Sequence, residues 1–427
     1  MKKILLKIWW TVNLQSSKKT PPRTLNLSLN ELAIIKRNYA AYEEKNLILP
    51  NLKRTPVHDF VVQQGGKMVP FAGWSMPVHF ANTGVLAEHL HTRDSASLFD
   101  VSHMQQLKIL GKDRIKFLEL LTVADIEEMP FGAATLSLFT NENGGIVDDM
   151  IVSKHADHLH VVTNASCAEK VLKHIRNQMY KLQSRGWFLN LEVIKDYALL
   201  AFQGPKTAEI LRKLGDKDLR DFKFMTTRYI NIKKIELHMT RGGYTGEDGF
   251  EIGVSHLAAT RFTKLLLGYP SVQLAGLGAR DSLRLEAGLC LYGHDIDETT
   301  TPIEAGLSWT IAKRRKVEGG FLGDEHILKQ LNDKSLVKKR RIGLIVEGAP
   351  ARENAEIYNE EEQLVGKVTS GGPSPTLGKN IAMGYVRTGY NTNGTPLKVK
   401  VRERMQKATV VKMPFVKPKY YRGDETA

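Results

Sequence analysis

The chain has 427 residues, 42% hydrophobic and 25% charged, which is ordinary for a globular protein of two or three domains with ample core. Its formal net charge of +15 suggests an acidic partner, nucleic acid or an anionic ligand, and it is also common in proteins imported into mitochondria. Only two cysteines occur, Cys167 and Cys290, which excludes a disulfide framework and a CxxC metal or redox site, and no stretch approaches the roughly 20 apolar residues that cross a bilayer.

The first fifty residues carry nine Lys/Arg and three Glu, so the basic surplus is shared between this segment and the rest. Lys2, Lys3, Lys7, Lys18, Lys19 and Arg23 precede the first acid, Glu31. On a helix Ile4, Ile8 and Val12 share a face flanked by Lys3 and Lys7. Basic, amphipathic, acid-free and serine-bearing is the composition of a mitochondrial transit peptide, placed over 1–30. Lys7 interrupts the apolar stretch that a secretory signal would need.

From Thr55 the text becomes globular. VPFAGWSMPVHF (69–80) reads as loop around an aromatic cluster, and LAEHLHTRDSASLFD (86–100) opens as helix. TLSLFT, IVDDMIVS and HLHVVT within 135–163 are short β-rich runs joined by NENGG and KHAD, the pattern of a meander. ALLAFQGPKTAEILRKLG (198–215) reads as strand, tight turn and helix, with Pro205 near the first helical position. ARDSLRLEAGLCL (279–291) reads as helix. Beyond the charged joint KSLVKKRR (334–341), strand-like runs recur about every ten residues, separated by SGGPSP and NTNG. That is the spacing of a small all-β barrel or sandwich. The expected organisation is an α+β core over 53–330 and an all-β domain over 335–421.

RGGYTGEDGFE (241–251) sets four glycines among three acids and Tyr244. Glycine clusters mark backbone that turns sharply or approaches something closely. A phosphate cradle would add lysine or a bare helix N-terminus. This loop adds carboxylates, which suit a neutral or amine-bearing heterocycle, the alternative being an acidic hairpin turn on a solvated surface. GGIVDDMIV (144–152) puts Asp148 and Asp149 in an otherwise apolar strand, on opposite faces. At least one lies out of water, which raises its pKa toward the range of proton transfer. Periodicity does not say which one.

AGLGARDS (275–282) nearly matches a dinucleotide fingerprint, but Asp281 replaces the third glycine and would repel a pyrophosphate. Arg280, with Arg284 one turn on, suits a ligand carboxylate, whereas an Asp281–Arg284 pair on a solvated face explains Arg284 alone. His89, His91 and His103 lack any known metal spacing, so no metal is expected. KRRK (313–316) reads as a solvated face or a dock for an acidic protein.

These segments together resemble the aminomethyltransferase family, the T protein of the glycine cleavage system, in its animal mitochondrial form. FAGWSMPV, HTRDSASLFDVSHM, LSLFTNENGGIVDDMIV, LAFQGP, RGGYTGEDGFEI, LGARDSLRLEAGLCLYGHDID, TTPIEAGLSW, TSGGPSPTLGKNIAMGYV and KMPFVKPKYY run in family order from about Arg54 to Tyr421. The resemblance implies a three-part ring-like folate-binding fold of two α+β subdomains and a C-terminal β-barrel. It implies transfer of a one-carbon unit from the aminomethyl-lipoyl arm of the H protein to tetrahydrofolate in the mitochondrial matrix, giving methylenetetrahydrofolate, ammonia and dihydrolipoyl H protein. On this resemblance Asp149 is the catalytic carboxylate and Glu251 grips the pterin. Tyr244, Met104 and Trp309 wall the folate cleft, and Arg280 and Tyr420 bind substrate. Partners are then the lipoylated H protein and the folate, without nucleic acid or membrane. Two rival readings share the chain: a folate-binding scaffold that needs no Asp149, and a nucleic-acid binder, for which no RRM, KH or zinc-finger signature is present.

Overall fold

The computed structural model describes residues 52–215 and 218–423. The expected transit segment lies outside them. Helix α1 (His58–Gln63) is followed by β1 (Gly66–Phe71), β2 (Trp74–Phe80), α2 (Gly84–Asp94), β3 (Ala96–Asp100), β4 (Gln105–Leu110) and α3 (Arg114–Leu121). The meander is β5 (Ala134–Thr140), β6 (Ile146–Lys154) and β7 (His158–Thr163), leading to α4 (Ala168–Gln183) and β8 (Asn190–Ile194). Then come β9 (Tyr197–Gln203), α5 (Thr207–Gly215), β10 (Thr227–Ile232), β11 (Ile235–Arg241), β12 (Gly249–Ser255), α6 (His256–Leu267), β13 (Val272–Leu274) and α7 (Leu277–Glu286). Helices α8 (Lys313–Glu318) and α9 (Asp324–Asn332) precede the terminal strands β14 (Lys339–Val346), β15 (Glu356–Tyr358), β16 (Leu364–Ser374), β17 (Lys379–Arg387), β18 (Pro396–Val401) and β19 (Arg404–Val411).

Two sheets form the core, one of six strands in the order β10-β11-β12-β9-β3-β13 and one of five in the order β5-β6-β7-β4-β8. Strand alternation explains how they stack. On β9, Ala198, Leu200 and Phe202 join Phe262 and Leu266 of α6 in one apolar cluster. Leu199 and Ala201, one residue out of phase, join Val162 of the other sheet in a second cluster. On the five-stranded sheet Leu107, Ile109 and Val161 pack under Val171 and Ile175 of α4. Each sheet is therefore covered by helices on one face and by the other sheet on the other, an α/β/β/α layering. Strands buried on both faces read as nearly continuous apolar runs, and this is why IVDDMIV and ALLAF look as they do.

The terminal strands close into a barrel, β14-β17-β16-β15-β18-β19, around Leu344, Ile357, Val399 and Val410. Residues 69–80 correct the sequence reading. They are not loop but most of a hairpin, β1 and β2, whose two-residue turn Ala72–Gly73 holds both φ angles positive. Pro70 and Pro77 disguised it. Proline is poor in a central strand, but this is a separate two-stranded sheet, extended only by Lys53 beside Trp74 among the described residues.

After Val411 the chain leaves the barrel and returns to the core. The Val416 amide donates to the Glu286 carbonyl at 3.0 Å, the Lys419 amide to the Gly246 carbonyl at 2.8 Å, and the Tyr421 carbonyl accepts from the Phe224 amide at 2.7 Å. This tail straps the glycine loop onto α7.

Candidate active site

The loop 242–248 joins β11 to β12 and is held from below by Gln203 of β9. The Gln203 amide donates to the Gly242 carbonyl at 2.9 Å and accepts from the Thr245 hydroxyl at 2.8 Å. A Cβ on Gly243 would lie 1.9 Å from Gln203 Oε1, and one on Gly249 2.5 Å from the Phe202 carbonyl. Two of the glycines are thus dictated by close approach to β9.

The loop acids have separate fates. Asp248 forms a forked pair with Arg241, Nε to Oδ1 at 2.9 Å and Nη2 to Oδ2 at 2.5 Å. Glu247 is buried and takes Arg93 Nη1 at 3.0 Å and Lys419 Nζ at 3.2 Å. Arg93 also reaches Glu286, a fully buried carboxylate that meets His89, Ser374 and Thr376. Burial would raise the Glu286 pKa, but the hydrogen bonds from His89, Ser374 and Thr376 outweigh it and hold it at about 2. The loop is therefore no solvated hairpin. Glu251 alone of its three acids has no hydrogen-bond or ion-pair partner among the described residues.

Glu251 stands on β12 opposite Ala201, on the face turned toward the five-stranded sheet. Arg280 of α7 is the cation that acts on it. Its Nη1 is buried without a partner among the described residues, and its guanidinium lies over the Tyr244 ring at 4.6 Å. Burial raises the Glu251 carboxyl, with the Arg280 charge opposing that rise, and burial lowers Arg280. The Tyr244 hydroxyl donates to the Cys290 carbonyl, and burial raises its pKa. Met104 packs on the apolar cluster of Ala279 and Leu283 beside them.

The two neighbouring aspartates are separated by register. Asp149 lies on the face of β6 that Ile151 shares with its cross-strand partner Val162, and so faces the inter-sheet space. Asp148 lies on the opposite face and is fully buried. Asn164 bridges them. Its backbone N–H and side-chain amide donate to the two Asp148 oxygens at 3.0 and 2.9 Å, and the same amide donates to Asp149 Oδ1 at 2.8 Å. Asp149 remains partly accessible although protein surrounds it closely. Burial raises both carboxyls. The Asp149 charge adds to the rise at Asp148, and the Asn164 donors oppose both. The charges of Arg284, Asp149, Arg280 and Asp295 also act on the Tyr244 hydroxyl.

Arg280 thus touches Tyr244 and acts on Glu251, while Asp149 and Met104 lie toward the same layer between the sheets. Tyr420 lies in the strap, stacked on Phe224 at 4.2 Å and on the Glu247 side of the loop. Trp309 sits 62% exposed in the 3₁₀ turn Ser308–Thr310. Arg284 pairs with Asp281 as the sequence suggested, but it is buried rather than on a solvated face and also pairs with buried Asp295 at 2.6 Å. The KRRK segment is only partly a solvated face, since Arg314 binds Asp125 and Glu119, and Arg315 is buried against the Glu119 carbonyl. No cluster of His, Cys, Asp and Glu suited to a metal occurs among the described residues. Asn164 gave no sequence signal, being a lone asparagine after a strand.

Comparison with known proteins fits this arrangement. The family model described as the GCVT N-terminal domain matches residues 57–315, and the glycine cleavage T-protein C-terminal barrel domain matches 339–417. The chain belongs to the glycine cleavage T-protein family. The mitochondrial aminomethyltransferase of dog (Canis lupus familiaris) is 53% identical over 87% of this chain and 91% of its own length, and that of Homo sapiens 52% over the same shares. The Pisum sativum protein of the same name is 46% identical over 91% of this chain and 94% of its own. Among solved structures, the aminomethyltransferase T of the glycine cleavage system from Bartonella henselae superposes with a TM-score of 0.81 at 35% identity, covering 87% of this chain and 99% of that one. The chain is an aminomethyltransferase of the glycine cleavage system with the α+β core and terminal barrel of that family, and a mitochondrial protein like its animal and plant relatives.

Proposed function

We propose that the cleft between the two sheets takes tetrahydrofolate and that the chain transfers to it the one-carbon unit carried on the lipoyl arm of the H protein, releasing ammonia, in the mitochondrial matrix. The observation that carries this reading is the unmatched polar set of Glu251 and Arg280. A buried guanidinium N–H without a partner among the described residues costs on the order of 1–3 kcal/mol unless something supplies its hydrogen bond, and the half-buried Glu251 carboxylate also lacks a partner among them. A pterin has ring and amino N–H groups for the carboxylate, and the substrate carries acceptors for the guanidinium. The donor set fits such a molecule and leaves no excess charge.

Within this reading Glu251 binds and orients the heterocycle, Tyr244 and Met104 form its walls, and Arg280 meets an anionic or carbonyl oxygen. Asp149 faces the same space and is the group able to move a proton. Burial favours its neutral form, so as an anion it is a stronger base than a solvated aspartate. Asp148, out of reach on the other face, holds Asn164, and Asn164 in turn fixes the Asp149 carboxylate. Tyr420 and Trp309 are assigned to substrate contacts at the outer edges of the site. The H protein is the proposed macromolecular partner.

The test is Asp149→Ala. Ammonia release from aminomethylated H protein is expected to fall roughly 10²-fold or more, the scale of a lost acid–base group, while tetrahydrofolate still binds. Turnover close to that of the unaltered enzyme would sink the assignment and favour the scaffold reading.

A further inference from the structure

The inter-sheet space has a second end. There a separate cavity of about 360 Å³ opens, with Lys108, His158, His160, Tyr229, Glu236 and His238 in its lining. It is roomier than the narrow crevice beside Arg280, yet it holds none of the aspartate–asparagine chemistry above. Register explains its makeup. Lys108 pairs with His160 across β4 and β7, and Tyr229 with His238 across β10 and β11, so both pairs point from their sheets into the gap.

The charges in the cavity are laid out asymmetrically. Lys108 is half-buried and has no ion-pair or hydrogen-bond partner among the described residues. Two of the histidines near it do not compete as cations. His160 and His238 are buried, and burial holds both well below the usual histidine range, His238 at about 3. His238 Nε2 is occupied by His155 Nε2 at 3.0 Å and the Thr227 hydroxyl at 2.9 Å. The rim is acidic instead. Glu236 and Asp157 are exposed there, and both act on the Tyr229 hydroxyl. Asp157 Oδ1 lies 2.8 Å from His158 Nδ1, and buried His158 Nε2 has no partner among the described residues.

A lone ammonium inside, acids at the mouth and flat rings between them match a molecule that carries both charges. We propose that this cavity binds a free amino acid or similar small zwitterion, its carboxylate on Lys108, its ammonium toward Glu236 and Asp157, and its side chain over Tyr229 and the histidine rings. A simple anion would meet the two rim acids, and a simple amine would meet Lys108. The volume lies within the range of small-ligand sites and exceeds what a few waters need.

Calorimetric titration of the full chain with L-serine and with L-phenylalanine tests this, run with saturating tetrahydrofolate and again without it, so that the outcome does not depend on the folate assignment. Binding of at least one of the two with Kd of about 1 mM or tighter is expected. Acetate and ethylammonium should each bind at least about tenfold more weakly, because each satisfies one end only. Lys108→Met should weaken the amino acid about tenfold or more with unchanged melting temperature, and Lys108→Arg should retain it. Equal binding of acetate would replace the proposal with a plain anion site. Undiminished binding to the Lys108→Met variant, or no amino-acid binding at all, would overturn it.

Discussion

The two ends of the inter-sheet space are built from the same two sheets and hold opposite chemistry. At one end Asp149 of β6 and Glu251 of β12 keep carboxyls whose burial raises their pKa. At the other His160 of β7 and His238 of β11 keep imidazoles whose burial lowers theirs. Desolvation disfavours charge in both places, so it pushes acids and bases in opposite directions. The apolar plug of Phe99, Val162 and Leu199 belongs to the layer between the sheets that both ends share.

The largest expected effect separates two adjacent residues. Asp149→Asn should lower transfer about 10²-fold with little change in stability. Asp148→Asn should do the reverse, costing about 1–3 kcal/mol of stability, because an amide cannot accept both Asn164 donors. Chemical denaturation alongside the ammonia assay checks both, and equal transfer losses in the two variants would erase the distinction. Next in size, Glu251→Ala should weaken tetrahydrofolate by about 1.5–3 kcal/mol, the scale of a hydrogen bond to a charged group, whereas Lys108→Met should leave that affinity unchanged. Calorimetry reads both, and an unaltered affinity in the Glu251 variant would contradict its role.

The two ends should also respond oppositely to pH. A histidine whose folded pKa lies below its unfolded value binds its proton more readily when unfolded. Its end therefore loses stability as pH falls from about 6.5 toward the folded value, by at most about 1.4 kcal/mol per pH unit for each such group. A carboxyl whose folded pKa is raised destabilises above that pKa and ceases to as pH falls through it. His238→Gln should flatten the acid loss, and Glu251→Gln should gain about 1 kcal/mol at pH 8, a gain that fades toward the ordinary carboxylate range. Melting curves from pH 4.5 to 8 decide, and parallel curves would refute the contrast. The smallest effect is expected at the strap. Lys419→Ala should cost no more than about 1 kcal/mol, since its ammonium is largely exposed.

Much of the fold was legible because binary pattern survives burial on both faces. The runs around 135–163 and after 339 became β5 to β7 and the six barrel strands. The first hairpin was not, since Pro70 and Pro77 speak against strands unless the sheet is known to be two-stranded. For the site, residue types were legible and assignments were not. Choosing between Asp148 and Asp149 needs the knowledge of which β6 face meets the second sheet. Choosing Glu251 over Glu247 and Asp248 needs the knowledge that Arg93, Lys419 and Arg241 already hold the other two. Asn164 and the histidine cavity had no signal at all, because His155 and His238 are brought together from 83 positions apart.

The strap has a consequence for how the enzyme comes into being. Translation delivers Lys419 and Tyr421 after every group they touch, so the glycine loop and its partner helix α7 exist on the ribosome before the segment that fastens them. Residues 416–421 therefore supply the last-made of the contacts that fasten the loop to α7.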